Sequence, residues 1–251
     1  MAFILAVPIA LITTNIRVAI SEQNVYDHAV KNYGAAEVSG ISQPELLRAN
    51  GEIKDYLTAG DPGPLAIKVR DERGDQESLF SAKETAHMAD VRALVQTLFT
   101  VQLLSVATVL TLAVVMLLVW PPRALAMAAF CGALLTGGIL GAAGIVAASG
   151  FDSAWSEFHV FAFSNDLWRL DPQTDHLIQM FPEAFWQEIT TLIVMATLLE
   201  AALTLGVSGG YLLLSRPQEG KRLLLPAPVV AGPAGHDRPK MTSPTPRQYF
   251  R

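Results

Sequence analysis

Two long stretches without a charged side chain constrain this sequence more than any other feature. Ala93 to Pro122 gives 30 such residues and Ala124 to Phe151 gives 28. Each exceeds the roughly 20 apolar residues that cross a ~30 Å hydrocarbon core. Charged residues make up only 16% of the chain against 51% hydrophobic, which argues against a water-soluble protein. Two further spans are readable, Met1 to Ile16, uncharged and mostly aliphatic, and Ile189 to Ser215, apolar except for Glu200. Met1 to Ile16 lacks a basic n-region and a clean small-x-small cleavage site, so it reads as an anchored helix rather than a signal peptide. The expected fold is an all-α membrane protein, a four-transmembrane-helix bundle with spans at 2–20, 93–120, 124–149 and 189–214. Two extracytoplasmic loops, 21–92 and 150–188, connect them.

Charge bias supplies the orientation. Beyond the fourth span, residues 216–251 carry seven basic and two acidic side chains, a net of +5. Ser21 to Arg92 has eight basic and 13 acidic residues, net −5, and Gly150 to Ile189 has Arg169 against seven acids, net −6. The positive-inside rule then places the tail, and with four spans the N-terminus, in the cytoplasm. The tail, rich in Pro, Gly and basic residues, reads as disordered. The overall −5 implies nothing about nucleic acid, and the lone Cys131, inside an apolar run, excludes a disulfide framework and a thiolate metal site.

Chemistry is expected in the outer loops. In the first, Ser42, Pro44 and Glu45 look like a capping box opening a helix that runs to Leu57. Leu65, Ile67 and Val69 alternate with polar neighbours and face Ser78-Leu79-Phe80 across a turn-rich stretch, which predicts a small hairpin. From Ser81 a helical pattern runs without interruption into the second span. The second loop holds nine of the chain's aromatic residues, a density that suits the headgroup layer. Asp171 and Pro172 suggest an N-cap and first turn of a short helix to Phe181, and Pro182 restarts the chain into the fourth span. Gly137 with Gly141, and Gly206 with Gly210, read as close helix contacts.

His87 lies six residues before the uncharged run, about 9 Å along a helix axis. Glu84 and Asp90, three residues on either side, share its helical face, so either could hold one ring nitrogen. Glu84-x-x-His87 also matches the spacing of carboxylate-bridged metal sites, but it occurs once and that motif needs a second copy. His159 follows the third span among apolar rings, at the same expected depth. His28, His176 and His236 lack this coincidence. Arg17 ends the first span at its outer edge, either snorkelling or donating to a substrate carbonyl or headgroup. Glu200 falls near mid-bilayer, far from both histidines.

Three segments carry a resemblance: Glu84-x-x-His87-Met88-x-Asp90-Val91, Phe158-His159-x-x-x-Phe163-x-Asn165-Asp166-x-Trp168, and Asp171-Pro172-x-x-Asp175-x-Leu177-Ile178-x-Met180-Phe181-Pro182-x-x-Phe185-Trp186. In this order and between these spans, the chain from Met1 to Ser215 resembles the lipoprotein intramolecular transacylase (Lit) family of bacterial membrane proteins. The resemblance implies transfer of the sn-2 acyl chain of a diacylglyceryl-modified lipoprotein to the α-amine of its N-terminal cysteine. It implies a multi-pass protein of the bacterial cell membrane whose site faces outward, with lipoprotein and membrane lipid as partners and no cofactor or metal. The catalytic pair would be His87 and His159, supported by Arg17, Glu84, Asp90, Asn165, Asp166 and Trp168.

Such a reaction needs little machinery. Amine and ester belong to one molecule, so folding the head back and moving protons suffices, and orientation alone supplies several kcal/mol. Imidazole is the natural base for a neutral amine near pH 7, and the second imidazole, Arg17 or Asn165 could serve the oxyanion or leaving oxygen. The outer loops hold no serine-centred nucleophile motif and no cysteine, which favours direct transfer. The two histidines should then share a cavity within reach of Arg17, and the rate should fall below about pH 6 as imidazole protonates. Two other classes remain open. One is a metal-dependent hydrolase using His87, Asp90, His159, Asp166, Asp171 and Asp175; the other is a non-enzymatic lipid or lipoprotein chaperone.

Overall fold

The computed structural model describes residues 1–60, 63–70, 76–148 and 150–215, and the expected basic tail lies outside them. In chain order its elements are α1 (Ala2–Ser21), α2 (Gln23–Asn32), α3 (Ala35–Ser39), α4 (Gln43–Thr58), β1 (Lys68–Arg70), β2 (Gln76–Ser78), α5 (Ala82–Val119), α6 (Pro122–Ala148), α7 (Phe151–Ala162), α8 (His176–Met180) and α9 (Glu183–Leu214). Four of them, α1, α5, α6 and α9, are long and apolar enough to cross a membrane. Many of their large apolar side chains, including Leu103, Leu110, Leu117 and Leu203, point outward, as lipid solvation requires.

α6 packs on α9 and α1, and α1 packs on α5 and α9. The close approaches are not at the expected glycine pairs, for Gly137, Gly141, Gly206 and Gly210 all face open space. They occur at Gly132 and Gly209. A methyl group at Gly132 would stand 2.9 Å from Val7 Cβ, and one at Gly209 would stand 3.3 Å from Phe130. Contact depends on the face presented to a neighbour, which small-xxx-small spacing alone does not identify. Lower in the bundle, Asn15 Nδ2 donates to Glu200 Oε2 at 2.8 Å and to Thr197 Oγ1 at 3.1 Å, so Glu200 ties α9 to α1.

A second core is built mainly by the segments that connect the membrane-crossing helices. α4 turns Leu46, Ala49, Ile53, Tyr56 and Leu57 to one side, spacings of three, four and seven that form an apolar stripe. The stripe packs with Tyr26, Ala29 and Val30 of α2, with Val69 and Leu79 of the hairpin, and with Met88, Met180 and Phe185. Asn50 is fully buried and donates to the Tyr26 carbonyl at 2.7 Å. The hairpin forms as expected, with Lys68 opposite Ser78 and Arg70 opposite Gln76; its turn lies outside the described residues. Arg92 donates to the carbonyls of Tyr56, Ala59 and Gly60, so a cation from α5 closes the C-terminus of α4.

Two local expectations need correction, and three helices were not expected. The helix after Ser42 forms, but Ser42 makes no side-chain cap, and Glu45 is drawn instead to Arg48 at 2.8 Å. The capping box is at Ser81, whose Oγ accepts from the Glu84 amide while Glu84 Oε2 accepts from the Ser81 amide. Asp171 and Pro172 do not open a helix. Asp171 Oδ1 accepts from the Gln173 amide and Asp175 Oδ2 from the Asp171 amide, turn bonds that compete with helix, and α8 begins only at His176. Helices α2, α3 and α7 have no counterpart in the sequence reading.

Candidate active site

α5 has 38 residues, about 57 Å at ~1.5 Å each, and is therefore nearly twice as long as the hydrocarbon core is thick. Its first turns stand beyond the uncharged run and carry His87. α7 follows α6 directly, after Gly150 at φ 148°, and brings His159 back beside His87. The two imidazole centroids are 6.3 Å apart, with ring planes inclined by 36°. With each nitrogen about 1 Å off its ring centre, that is too far for a direct hydrogen bond of about 3 Å.

Aromatic rings wall the pair. Trp168 stacks on His159 at 4.9 Å, Trp155 meets it edge-on at 4.7 Å, and Phe163 lies 5.1 Å from His87 and 5.7 Å from His159. Trp155 in turn stacks on Trp186 of α9 at 5.2 Å. His87 is 6% exposed and His159 9%, so the expected shared site is present as a neighbourhood but is covered rather than open.

His159 Nδ1 lies 2.8 Å from the Trp155 carbonyl, one helical turn back. A carbonyl only accepts, so Nδ1 carries the hydrogen and Nε2 of the neutral ring keeps its lone pair. His87 Nδ1 is buried with no hydrogen-bond partner among the described residues. Burial, reinforced by the neighbouring His159, pushes the His87 pKa down to about 4. Burial also lowers that of His159, partly opposed by the bond to Trp155. Both rings are therefore neutral at pH 7, a requirement for a base.

The flanking carboxylates do other work than holding His87. Glu84 is 1% exposed, and beyond its part in the capping box its Oε1 accepts from the Leu177 amide at 2.7 Å, joining α5 to α8. Asp90 Oδ2 accepts from Asn165 Nδ2 at 2.9 Å, which commits Asn165 as well. Asp166 is exposed and pairs with Arg169 at 2.9 Å. Arg17 is not brought to the imidazoles. Its Nη1 donates to Gln102 Oε1 at 3.0 Å and its guanidinium lies 4.5 Å over Phe99, twelve residues beyond His87 on α5, about 18 Å along the axis. Asp171 and Asp175 serve the turn before α8, and Asp175 also pairs with Lys83 at 3.5 Å. Among the described residues no three His, Cys, Asp or Glu side chains converge as a metal ion would need.

A comparison with known families matches residues 1–186 to the lipoprotein intramolecular transacylase Lit. The chain belongs to the Lit family. By that membership it is a multi-pass membrane acyltransferase of a family that acts on lipoproteins. The fold agrees. The in meso structure of Lit from Bacillus cereus superposes with a TM-score of 0.73 at 19% identity, covering 88% of this chain and 95% of that one. Two structures of the same protein with one histidine replaced, by arginine and by alanine, give TM-scores of 0.66 and 0.69 at 18% identity, each over 88% of this chain and over 91% and 93% of theirs. A comparison with curated proteins finds no match.

Trp155 lies against the candidate pair although the sequence reading did not single it out, and Phe163, quoted there only within a motif, lies against both rings. The signal was available for Trp155, because Trp155 and His159 are four apart and so become hydrogen-bonded neighbours once the segment is helical. α7 was not recognised as a helix, and the relation stayed hidden.

Proposed function

We propose that this Lit protein transfers the sn-2 acyl chain of a diacylglyceryl lipoprotein to the α-amine of its N-terminal cysteine by direct attack, with His159 as base and His87 as its partner. The observation that carries the reading is the pair of neutral imidazoles 6.3 Å apart on α5 and α7. The neutral amine attacks the ester carbonyl, and His159 Nε2 takes the proton from the attacking nitrogen. His87 hydrogen-bonds the tetrahedral oxygen, and the imidazolium of His159 gives the proton it has taken to the departing glyceryl oxygen, so that a C–O bond breaks as an amide C–N bond forms. Both rings are then neutral again. A buried, unpartnered ring nitrogen costs about 1–3 kcal/mol, which a substrate oxygen would relieve. Among the described residues no serine, threonine or cysteine is hydrogen-bonded to either imidazole, which supports transfer without an acyl-enzyme.

The neutral rings change the expected pH dependence. An ordinary histidine near 6.5 would add its own acid limb, but His87 resists protonation until about pH 4 and His159 is shifted the same way. The substrate ammonium, near pH 8, then governs, so log rate should fall by about one unit per pH unit between pH 7 and 5. With purified protein in vesicles and a synthetic diacylglyceryl lipopeptide, a slope near two in that window would show an unshifted histidine and contradict the assignment. The folded protein should also lose stability from about pH 6.5 downward, because the unfolded chain binds these protons first.

The reading places the site at the outer face of the bacterial cell membrane, the loops outside and both termini in the cytoplasm, as the +5 tail against loops of −5 and −6 requires. Reporter fusions in Ser21 to Arg92 should therefore be active outside the cell. Activity only on the cytoplasmic side would contradict the orientation.

A further inference from the structure

We propose that the stretch from Phe163 to Leu170 is a latched cover over the two histidines, and that the acyl chains of the substrate reach them across the exposed apolar face of α7 when it lifts. The proposal rests on the acyl-transfer reading above. A glyceryl ester carrying two chains cannot meet ring nitrogens of residues 6% and 9% exposed unless something moves. The rings in the way are Phe163, edge-on to His87 at 5.1 Å, and Trp168, stacked on His159 at 4.9 Å. Both sit in the connection between α7 and α8, which has no helix or strand of its own.

The connection is held to α5 from two directions. At the surface, Asn165 donates to Asp90 at 2.9 Å and Lys83 donates to the Arg169 carbonyl. Bonds between solvent-exposed partners are readily replaced by water, so they hold a segment loosely. The next tie is of another kind. Glu84, 1% exposed, accepts from the Leu177 amide, and a buried charged acceptor is not given up without loss. Motion is therefore confined between Phe163 and Leu170, with α8 as the fixed end.

The side of access follows from α7. Phe158 is 43% exposed, Val160 57% and Phe161 92%, on a helix joined directly to the membrane-crossing α6. Rings so placed suit the boundary of headgroup and acyl chain, and they adjoin His159 in sequence. The occupant of this face is lipid acyl chain, the part of the substrate that carries the reacting ester.

The test fixes the latch. In a Cys131→Ser background in proteoliposomes, Lys83→Cys and Arg169→Cys, at the other surface tie, are joined by a bis-methanethiosulfonate cross-linker that reductant removes. The rate of lipopeptide conversion should fall by about tenfold or more on cross-linking and return on reduction, while each single-cysteine variant stays within about twofold of the parent. A cross-linked protein that works at the parental rate would overturn the cover and leave acyl transfer standing. Single variants as inactive as His87→Ala would overturn it too, by placing these residues in the chemistry. A parent without transfer activity would refute the function instead, before any cross-linking. If the pair does not cross-link, or the parent is inactive, hydrogen exchange decides. Asn165→Ala should speed exchange of the 166–170 amides and leave Leu177 unchanged, and no acceleration would overturn the latch.

Discussion

His87→Ala and His159→Ala are each expected to stop acyl transfer while the protein remains folded in the membrane. Proton transfer by a placed side chain contributes typically 10²- to 10⁴-fold, and the two rings act on one reacting group, so loss of either should bring the rate to near background. The fold should survive because the rings contribute packing rather than ties, since among the described residues His159 bonds only the carbonyl of its own helix and His87 Nδ1 has no partner. His87→Gln keeps an N–H for the tetrahedral oxygen and should recover part of the rate lost in His87→Ala, whereas His159→Gln should recover none, because an amide has no basic nitrogen. Conversion rates on lipopeptide in vesicles, with thermal unfolding alongside, would check this. A lipid or lipoprotein chaperone would tolerate both losses, so variants that convert substrate at the parental rate would return the aromatic loop to that role.

Glu84→Ala should be the most destabilising change near the site. The carboxylate is 1% exposed and accepts from the Ser81 and Leu177 amides, and its removal strands the Ser81 amide at the start of α5 and the buried Leu177 amide at the start of α8. A bond to a charged acceptor is worth about 1.5–3 kcal/mol, so the loss should be about 3 kcal/mol or more. Glu84→Gln should fall between, because an amide offers one acceptor where two are used. Asp90→Asn, at the surface, should change stability by no more than about 0.5 kcal/mol. Thermal unfolding in detergent would rank them, and a Glu84→Ala protein as stable as the parent but inactive would mean that Glu84 acts in catalysis.

That distinction shows where the sequence was readable. The four spans follow from charge-free runs that only a bilayer accommodates, and the long α5 from an unbroken helical pattern. The hairpin follows from alternation across a turn. His87 and His159 were paired by depth alone, which spacing along two helices carries well. Two identical Ser-x-x-Glu motifs were less legible. At Ser42 the glutamate is captured by Arg48 three residues on, and at Ser81 it closes the capping box, an outcome decided by a competing cation rather than by the motif. α7 escaped because its density of aromatic rings reads as a loop in the headgroup layer, although Phe151, Trp155 and Phe158 recur at helical spacing. Arg17 was expected beside the histidines because both belong to the outer side, but the long α5 separates the two levels by about 18 Å.

Acyl transfer itself is read most directly from N-terminal lipopeptides of cells with and without this protein. Substrate and product are isomers, so intact mass does not separate them, but tandem mass spectra and mild alkali do. Alkali strips both ester-linked chains from the substrate and leaves the amide-linked chain of the product. Cells with the protein should yield cysteine carrying one alkali-resistant N-acyl chain and one glyceryl-linked ester. Cells with His87→Ala or His159→Ala should match those without it. Lipopeptides that keep a free α-amine and two ester-linked chains whether or not the protein is present would contradict the transfer.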